Sequence, residues 1–366
     1  MQIGRIVEEL APSPVNCRNS EGSFIRMDDG RIAFAYSRYG VGTSEDGEPC
    51  DLAVIFSSDE GETFSEPRVF LTHEECDAMN IMSVSLLKMN DGSIGVFYLK
   101  KSKGLQCVCY MRRTKDFITL SEEVRCIPTD GYYIVNNDRM RRLSNGRIIV
   151  PSAYIKMTPL VEGVDHGDYK GVKAEKGVGI NFYSDDDGYT WQIAKGKTYL
   201  NDSRSSTGIQ EPGYEELDNG KIYFYYRNDL GCQYEAFSDD MGLTCTEAKP
   251  SRFTAPTSPM SSKRLSDGRI VIVYNPVPLT DGRSENHGKS WTGGRNPFVL
   301  RVVDGNFEKV GKILEVENDE TRGFCYCAIF ETEKSLLLAY CAGGAGERST
   351  LMRIRIRKID KEEIKG

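Results

Sequence analysis

The chain of 366 residues is short of several things at once, beginning with three histidines and two tryptophans. No apolar run approaches the ~20 residues that carry a helix across a bilayer, so no membrane partner is expected. Positive charge is not in excess: 47 Lys and Arg stand against 54 Asp and Glu, a net charge of −7. Phosphate backbones are bound by clustered cations, so a nucleic-acid partner is not expected either. The opening stretch Met1–Pro14 has neither the basic start nor the apolar core of a signal peptide. A cytoplasmic location follows as the expectation, or a secreted one if a leader has been removed. His73, His166 and His287 stand at no metal-ligand spacing with cysteine, so neither a metal nor a cofactor is expected. The eleven cysteines are odd in number and form no regular framework. Cys107 with Cys109 and Cys325 with Cys327 are two apart, on one face of a strand, and read as buried reduced thiols.

Helical periodicity is almost absent as well. In its place a polar turn with glycine recurs ahead of an apolar strand. It occurs at Asp28-Asp29-Gly30, Asn90-Asp91-Gly92, Ser144-Asn145-Gly146, Asp218-Asn219-Gly220 and Ser266-Asp267-Gly268, with a degenerate sixth copy at Thr332–Ser335. Asp-Gly and Asn-Gly between apolar runs predict hairpins with two-residue turns, which need positive φ at both positions. Six hairpins spaced roughly 50–75 residues apart predict four-stranded antiparallel blades set radially. The expected architecture is therefore all-β, a six-bladed β-propeller forming one domain over residues 1–366.

A second pattern overlies the first. Ser57-Ser-Asp59-Glu-Gly61-Glu-Thr63-Phe64 and Ser184-Asp-Asp186-Asp-Gly188-Tyr-Thr190-Trp191 fit S-x-D-x-G-x-T-[WF], and Ser238–Cys245 fits with its aromatic replaced. The segment Asn286–Trp291 is box-like but degenerate. Such a turn uses Asp to accept backbone N–H groups and Gly to take the left-handed conformation. It resembles the Asp-box of the sialidase superfamily, which is a structural element found in several kinds of propeller.

That resemblance implies a particular chemistry. The family holds the carboxylate of sialic acid with three arginines, attacks with a Tyr activated by a Glu, and uses an Asp as acid/base. A neutral phenol suits an anomeric carbon that already bears a carboxylate, since an anionic nucleophile would be repelled. Arginine suits the carboxylate through its planar, bidentate fork. Arg18 holds the place of the first arginine, although the Ile-Pro of the family motif is missing. Asp46 in the loop Arg38–Asp51 matches the acid/base, with Asp51 as competitor. Glu211 and Arg227, on either side of the fourth hairpin, resemble the activating Glu and second arginine. Arg295 resembles the third, with Arg301 and Arg283 as alternatives, and Tyr326 resembles the nucleophile.

Asn136-Asn137-Asp138-Arg139 has no counterpart in that scheme. Its blade position predicts that Asp138 or Arg139 contacts substrate. The hydrophilic insertion Gly163–Gly177, with His166, is expected to form a lid. These residues imply a retaining exo-glycosidase for terminal sialic acid or a similar acidic sugar. A hydrolase or lyase for another acidic glycan and a non-catalytic carbohydrate-binding propeller stand as alternatives. Fold alone does not choose among them.

Overall fold

In the computed structural model, which describes residues 2–160, 172–277, 294–344 and 346–365, each glycine turn joins the first two strands of a sheet. Arg18–Arg26 pairs with Ile32–Tyr39 across Gly30, and Gln210–Glu216 with Ile222–Arg227 across Gly220. The turns are longer than the two residues expected. Met27 N donates to Arg31 O at 2.8 Å and Gly30 N to Met27 O at 3.1 Å, and the same two bonds recur at Met89, Leu143, Leu217 and Leu265. Only the glycine of each turn is left-handed, from φ 79° at Gly92 to 89° at Gly30. This is a type I turn closed by a glycine bulge. The Asp or Asn before the glycine stays right-handed because its side chain takes the N–H two residues on, as in Arg31 N to Asp29 Oδ1 at 3.0 Å and Lys221 N to Asn219 Oδ1 at 3.0 Å.

Six blades result, and the second and third join into one nine-stranded sheet through a parallel pairing of Tyr132 with Cys107. Blade one is Arg18–Arg26, Ile32–Tyr39, Cys50–Ser57 and Arg68–Leu71; blade two is Asn80–Lys88, Ile94–Ser102, Gln106–Thr114 and Val124–Arg125. Blade three begins with an interrupted strand, Tyr132–Ile134 and Arg141–Arg142, and continues with Ile148–Ile155, Val178–Ser184 and Gln192–Thr198. Blade four is Gln210–Glu216, Ile222–Arg227, Cys232–Ser238 and Lys249–Thr254; blade five is Ser261–Arg264, Ile270–Tyr274, Phe298–Val303 and Leu314–Glu317. Blade six takes Cys325–Glu331, Ser335–Cys341 and Ile354–Asp360 from the end of the chain and Arg5–Leu10 from its beginning. That last pairing, with Arg5 opposite Lys358, closes the ring. The fold is the six-bladed β-propeller with four-stranded antiparallel blades.

Inner strands are buried on both faces, which is why Ile32–Tyr36 and Leu336–Tyr340 read as continuous apolar runs. Core clusters bridge neighbouring blades: Phe24, Phe34 and Ile55 of blade one pack on Ala328, Leu337 and Ile356 of blade six. Each large apolar side chain so buried contributes roughly 1.5–3 kcal/mol. The Asp-boxes lie on the connections from third to fourth strands. Asp59 accepts Thr63 N at 3.0 Å and Thr63 Oγ1 at 2.6 Å, and a Cβ on left-handed Gly61 would stand 2.6 Å from Leu337. His166, most of the insertion Gly163–Gly177, Arg283 and Asn286–Trp291 lie outside the described residues. All eleven cysteines are free, eight of them buried. Among the described residues no helix is long and apolar enough to cross a membrane, and no cluster of His, Cys, Asp or Glu is arranged to hold a metal ion.

Candidate active site

First strands of successive blades lean on one another around the axis, and most carry the same irregularity. A bulge interrupts pairing between Ser20 and Ser23, Met82 and Ser85, Gln210 and Gly213, and Cys325 and Ala328. Within each bulge stands one left-handed residue that is not glycine: Glu21 (φ 56°), Ser83 (57°), Glu211 (44°) and Tyr326 (57°). Asp138 (53°) takes the same conformation in the interrupted strand of blade three. Such backbone costs about 1–3 kcal/mol per residue and persists where the surroundings enforce it. The bulge turns a side chain that would lie between blades towards the ring axis. At Gly22, beside Glu21, a Cβ would sit 2.2 Å from the Phe34 ring, so this position admits only glycine.

Four of the five left-handed residues line one cavity of about 290 Å³. Its other walls include Asp46, Lys101, Asn136, Gln210, Arg227 and Arg295. The sequence-predicted residues Tyr326, Glu211, Asp46, Arg227 and Arg295 therefore meet in one place. Tyr326 Oη donates to Glu211 Oε1 at 2.7 Å, and Arg227 Nη1 reaches the same oxygen at 2.5 Å and the phenol at 3.2 Å. Glu211 Oε2 is buried without a hydrogen-bond partner. Burial and the neighbouring Glu211 carboxylate push the Tyr326 phenol well above its usual range, with Arg227 and Arg295 opposing them. Arg295 lies 5.4 Å from the Tyr326 ring centre and donates to Cys325 Sγ at 2.9 Å. Burial works to raise the Cys325 thiol, but its contacts with Cys341 and Arg295 hold it below its ordinary value.

Asp46 and its competitor Asp51 are separated by this geometry. Asp51 is bonded to His73 at 2.7 Å and is not part of the cavity wall, whereas Asp46 is. Burial would raise the Asp46 carboxyl, yet Arg18 and Lys101 outweigh it and bring the group down to about 2. Arg18 Nη1 meets Asp46 Oδ1 at 2.6 Å, and Lys101 Nζ caps the Asp46 carbonyl at 2.6 Å.

Three expectations need correction. Arg18 is 1% exposed and does not line the cavity. Its guanidinium packs over Tyr39 at 4.4 Å and donates to Ser20, Ser44, Asp46 and Glu21. Asp138 and Arg139 do not line it either; they bind blade to blade instead. Asp138 accepts Ser23 Oγ at 2.8 Å and Ile329 N at 3.2 Å, while Arg139 donates to Met260 O at 2.7 Å. Asp138 is left-handed, and both side chains are buried among neighbouring blades, where unpaired charge would be costly.

Glu21, Ser83 and Lys101 were missed. A register signal marks the first two: Glu21, Ser83 and Glu211 each stand nine residues before the turn glycine of their blade, Gly30, Gly92 and Gly220. Glu21 is 5% exposed, its two oxygens meeting Ser83 Oγ and, at 3.2 Å, Arg18 Nη2. Burial raises its carboxyl to about 7, with Arg18 pulling the other way and Asp46 and Glu211 adding to the rise.

The sequence matches the model of the BNR repeat-like domain family over residues 88–338. The chain belongs to that family. Solved structures agree in fold. A Dyadobacter fermentans protein of unknown function superposes on this BNR repeat-like chain with a TM-score of 0.69 at 18% identity, covering 97% of this chain and 99% of that one. The NanB sialidase of Streptococcus pneumoniae gives 0.70 at 12% identity, covering 99% and 71%. The intramolecular trans-sialidase of Ruminococcus gnavus gives 0.68 at 12%, covering 98% of each. No curated protein sequence matches closely enough to count as a relative. At these identities the likeness places the BNR repeat-like chain in the sialidase fold, and the chemistry is argued from its own residues.

Proposed function

We propose that this protein is a retaining exo-glycosidase of sialidase type, acting on terminal sialic acid or a related acidic sugar. The observation that carries the reading is the 2.7 Å bond from Tyr326 Oη to Glu211 Oε1 beside two cavity arginines. A phenol held so far above its usual range is no nucleophile by itself; it needs a base at bonding distance that takes the proton as attack proceeds. Glu211 is that base. Tyr326 Oη attacks the anomeric carbon while the glycosidic bond breaks, and Asp46 delivers a proton to the leaving oxygen. Water, deprotonated by Asp46, then displaces Tyr326, whose oxygen recovers its proton from Glu211. Arg227 and Arg295 hold the sugar's acidic group. Asp46 is ionised in the free pocket, and an entering carboxylate raises its affinity for a proton, as like charges do.

One observation favours a related reading, a propeller hydrolase or lyase for a different acidic glycan. Arg18 is held by Glu21 and Asp46 and does not line the cavity, so among the described residues the cations that border it are Lys101, Arg227 and Arg295. The test is a panel of fluorogenic glycosides of sialic acid and uronic acids, assayed with wild type and Tyr326→Phe. Turnover of an acidic glycoside by wild type and its loss in Tyr326→Phe is expected. Equal rates for the two proteins on every substrate turned over, or no turnover of any acidic glycoside, would overturn the proposal.

A further inference from the structure

Among the described carboxylates that line the cavity, Glu21 is the one the mechanism above leaves unused. It is a buried carboxyl on a strained bulge, and its neighbour Gly22 is fixed by the Phe34 ring. Its Oε1 accepts from Arg18 Nη2 and its Oε2 from Ser83, the matching bulge residue of blade two. A buried ion pair is weak evidence of stabilisation, because desolvation opposes the Coulomb gain. The backbone strain adds to that cost. An ion pair serving stability alone has no need to border a cavity.

Charge around the cavity makes the consequence definite. Among the described residues Asp46 and Glu211 are its other carboxylates, and both are already partnered by arginine. Arg18 is shut off by Glu21: its remaining donors go to Ser20, Ser44 and Asp46. Remove the Glu21 side chain and Nη2 of Arg18 faces the space that the carboxylate vacated.

We propose that Glu21 is a specificity-determining residue, a built-in carboxylate that occupies Arg18 and bars a ligand carboxylate from it. This rests on the glycosidase reading and deepens it. The preferred substrate carries its acidic group at Arg227 and Arg295, and presents hydroxyl donors rather than a carboxylate to the wall formed by Glu21. A compact ligand whose carboxylate needs Arg18 is disfavoured by like charge.

The experiment is calorimetric titration at pH 8, above the value of about 7 to which the Glu21 carboxyl is raised, of wild type, Glu21→Ala and Glu21→Gln with N-acetylneuraminic acid and, as the carboxylate-free control, N-acetylmannosamine. Glu21→Ala is expected to bind N-acetylneuraminic acid at least tenfold more tightly than wild type. Glu21→Gln, which removes the charge and keeps the volume, should fall between them, and no variant should gain for the neutral sugar. Thermal melts identify any variant that fails to fold, and Glu21→Gln then carries the test alone. Unchanged or weaker binding by the folded variants overturns the proposal, as does an equal gain for both sugars, which would mean only added space. The glycosidase reading fails separately, by Tyr326→Phe retaining full activity.

Discussion

Tyr326 Oη and Glu211 Oε1 lie 2.7 Å apart although 115 residues separate them, and each is the left-handed residue of a bulge in the first strand of its blade. The bulge is what lets the pair meet. Without the extra residue each side chain would point between blades, as its alternating neighbours do. Tyr326→Phe is expected to lower kcat about 10²–10⁴-fold, the usual size of a lost proton-transfer partner. Its melting temperature should stay within about 3 °C of wild type. Glu211→Gln should match it in activity. Glu211→Ala should also lose up to about 3 kcal/mol of stability, because Arg227 then borders the cavity without its partner. Steady-state kinetics with thermal melts separate the two effects.

Cys325 is the sulfur that positions a cavity arginine, with Arg295 Nη1 2.9 Å away. Replacing it by alanine removes one acceptor and leaves the guanidinium with a longer bond, from Nη2 to Thr257 O at 3.5 Å. A lost hydrogen bond of about 1 kcal/mol corresponds to about a five-fold rise in KM. A fall in kcat with unchanged KM would contradict the positioning role assigned to Arg295.

The Asp-boxes should prove structural. Asp186 accepts Ser184 Oγ at 2.8 Å, Thr190 N at 2.9 Å and Thr190 Oγ1 at 2.6 Å, while Trp191 Nε1 donates to Gly188 O at 3.0 Å. Asp186→Ala leaves these groups without their acceptor, at a cost of about 1–3 kcal/mol. Urea denaturation should register that loss, and kcat at 25 °C should be unchanged. A drop in kcat without a drop in stability would show that the box reaches the site.

Glu21 makes stability depend on pH in a predictable direction. Its carboxyl is raised from 4.5 to about 7 in the folded chain, chiefly by burial. Between those values the folded state binds the proton more tightly than the unfolded chain, so stability falls as pH rises through that window. The full effect is of order 3 kcal/mol. Asp46 has the opposite sign: lowered to about 2, it supports the fold at neutral pH and ceases to do so as pH falls below about 4. Urea denaturation of wild type and Glu21→Gln at pH 5 and pH 7.5 checks the first case. Wild type should lose more than the variant on going to pH 7.5, and parallel losses would refute the assignment.

Local chemistry was enough for the fold. Five glycine turns, three Asp-boxes and apolar strands at regular spacing specify hairpins, and hairpins of this kind bury their faces only by stacking as blades. Even the error in turn type was local: an Asx side chain that captures the N–H two residues on holds its own backbone right-handed. The order of residues along the chain likewise brought Tyr326, Glu211, Arg227, Arg295 and Asp46 to one cavity. Tertiary structure alone decided which buried charges border that cavity and which tie neighbouring blades together. Asp138 and Glu211 share a left-handed backbone, yet one ties blades together and the other borders open space. Arg18 and Glu21 are three residues apart and bonded to each other, and with Asp46 also holding Arg18 the first is withdrawn while the second lines the pocket. Partners such as Ser83, Ser23 and Ile329 come from other blades, so the fate of each charge depends on ring closure, which no stretch of sequence contains.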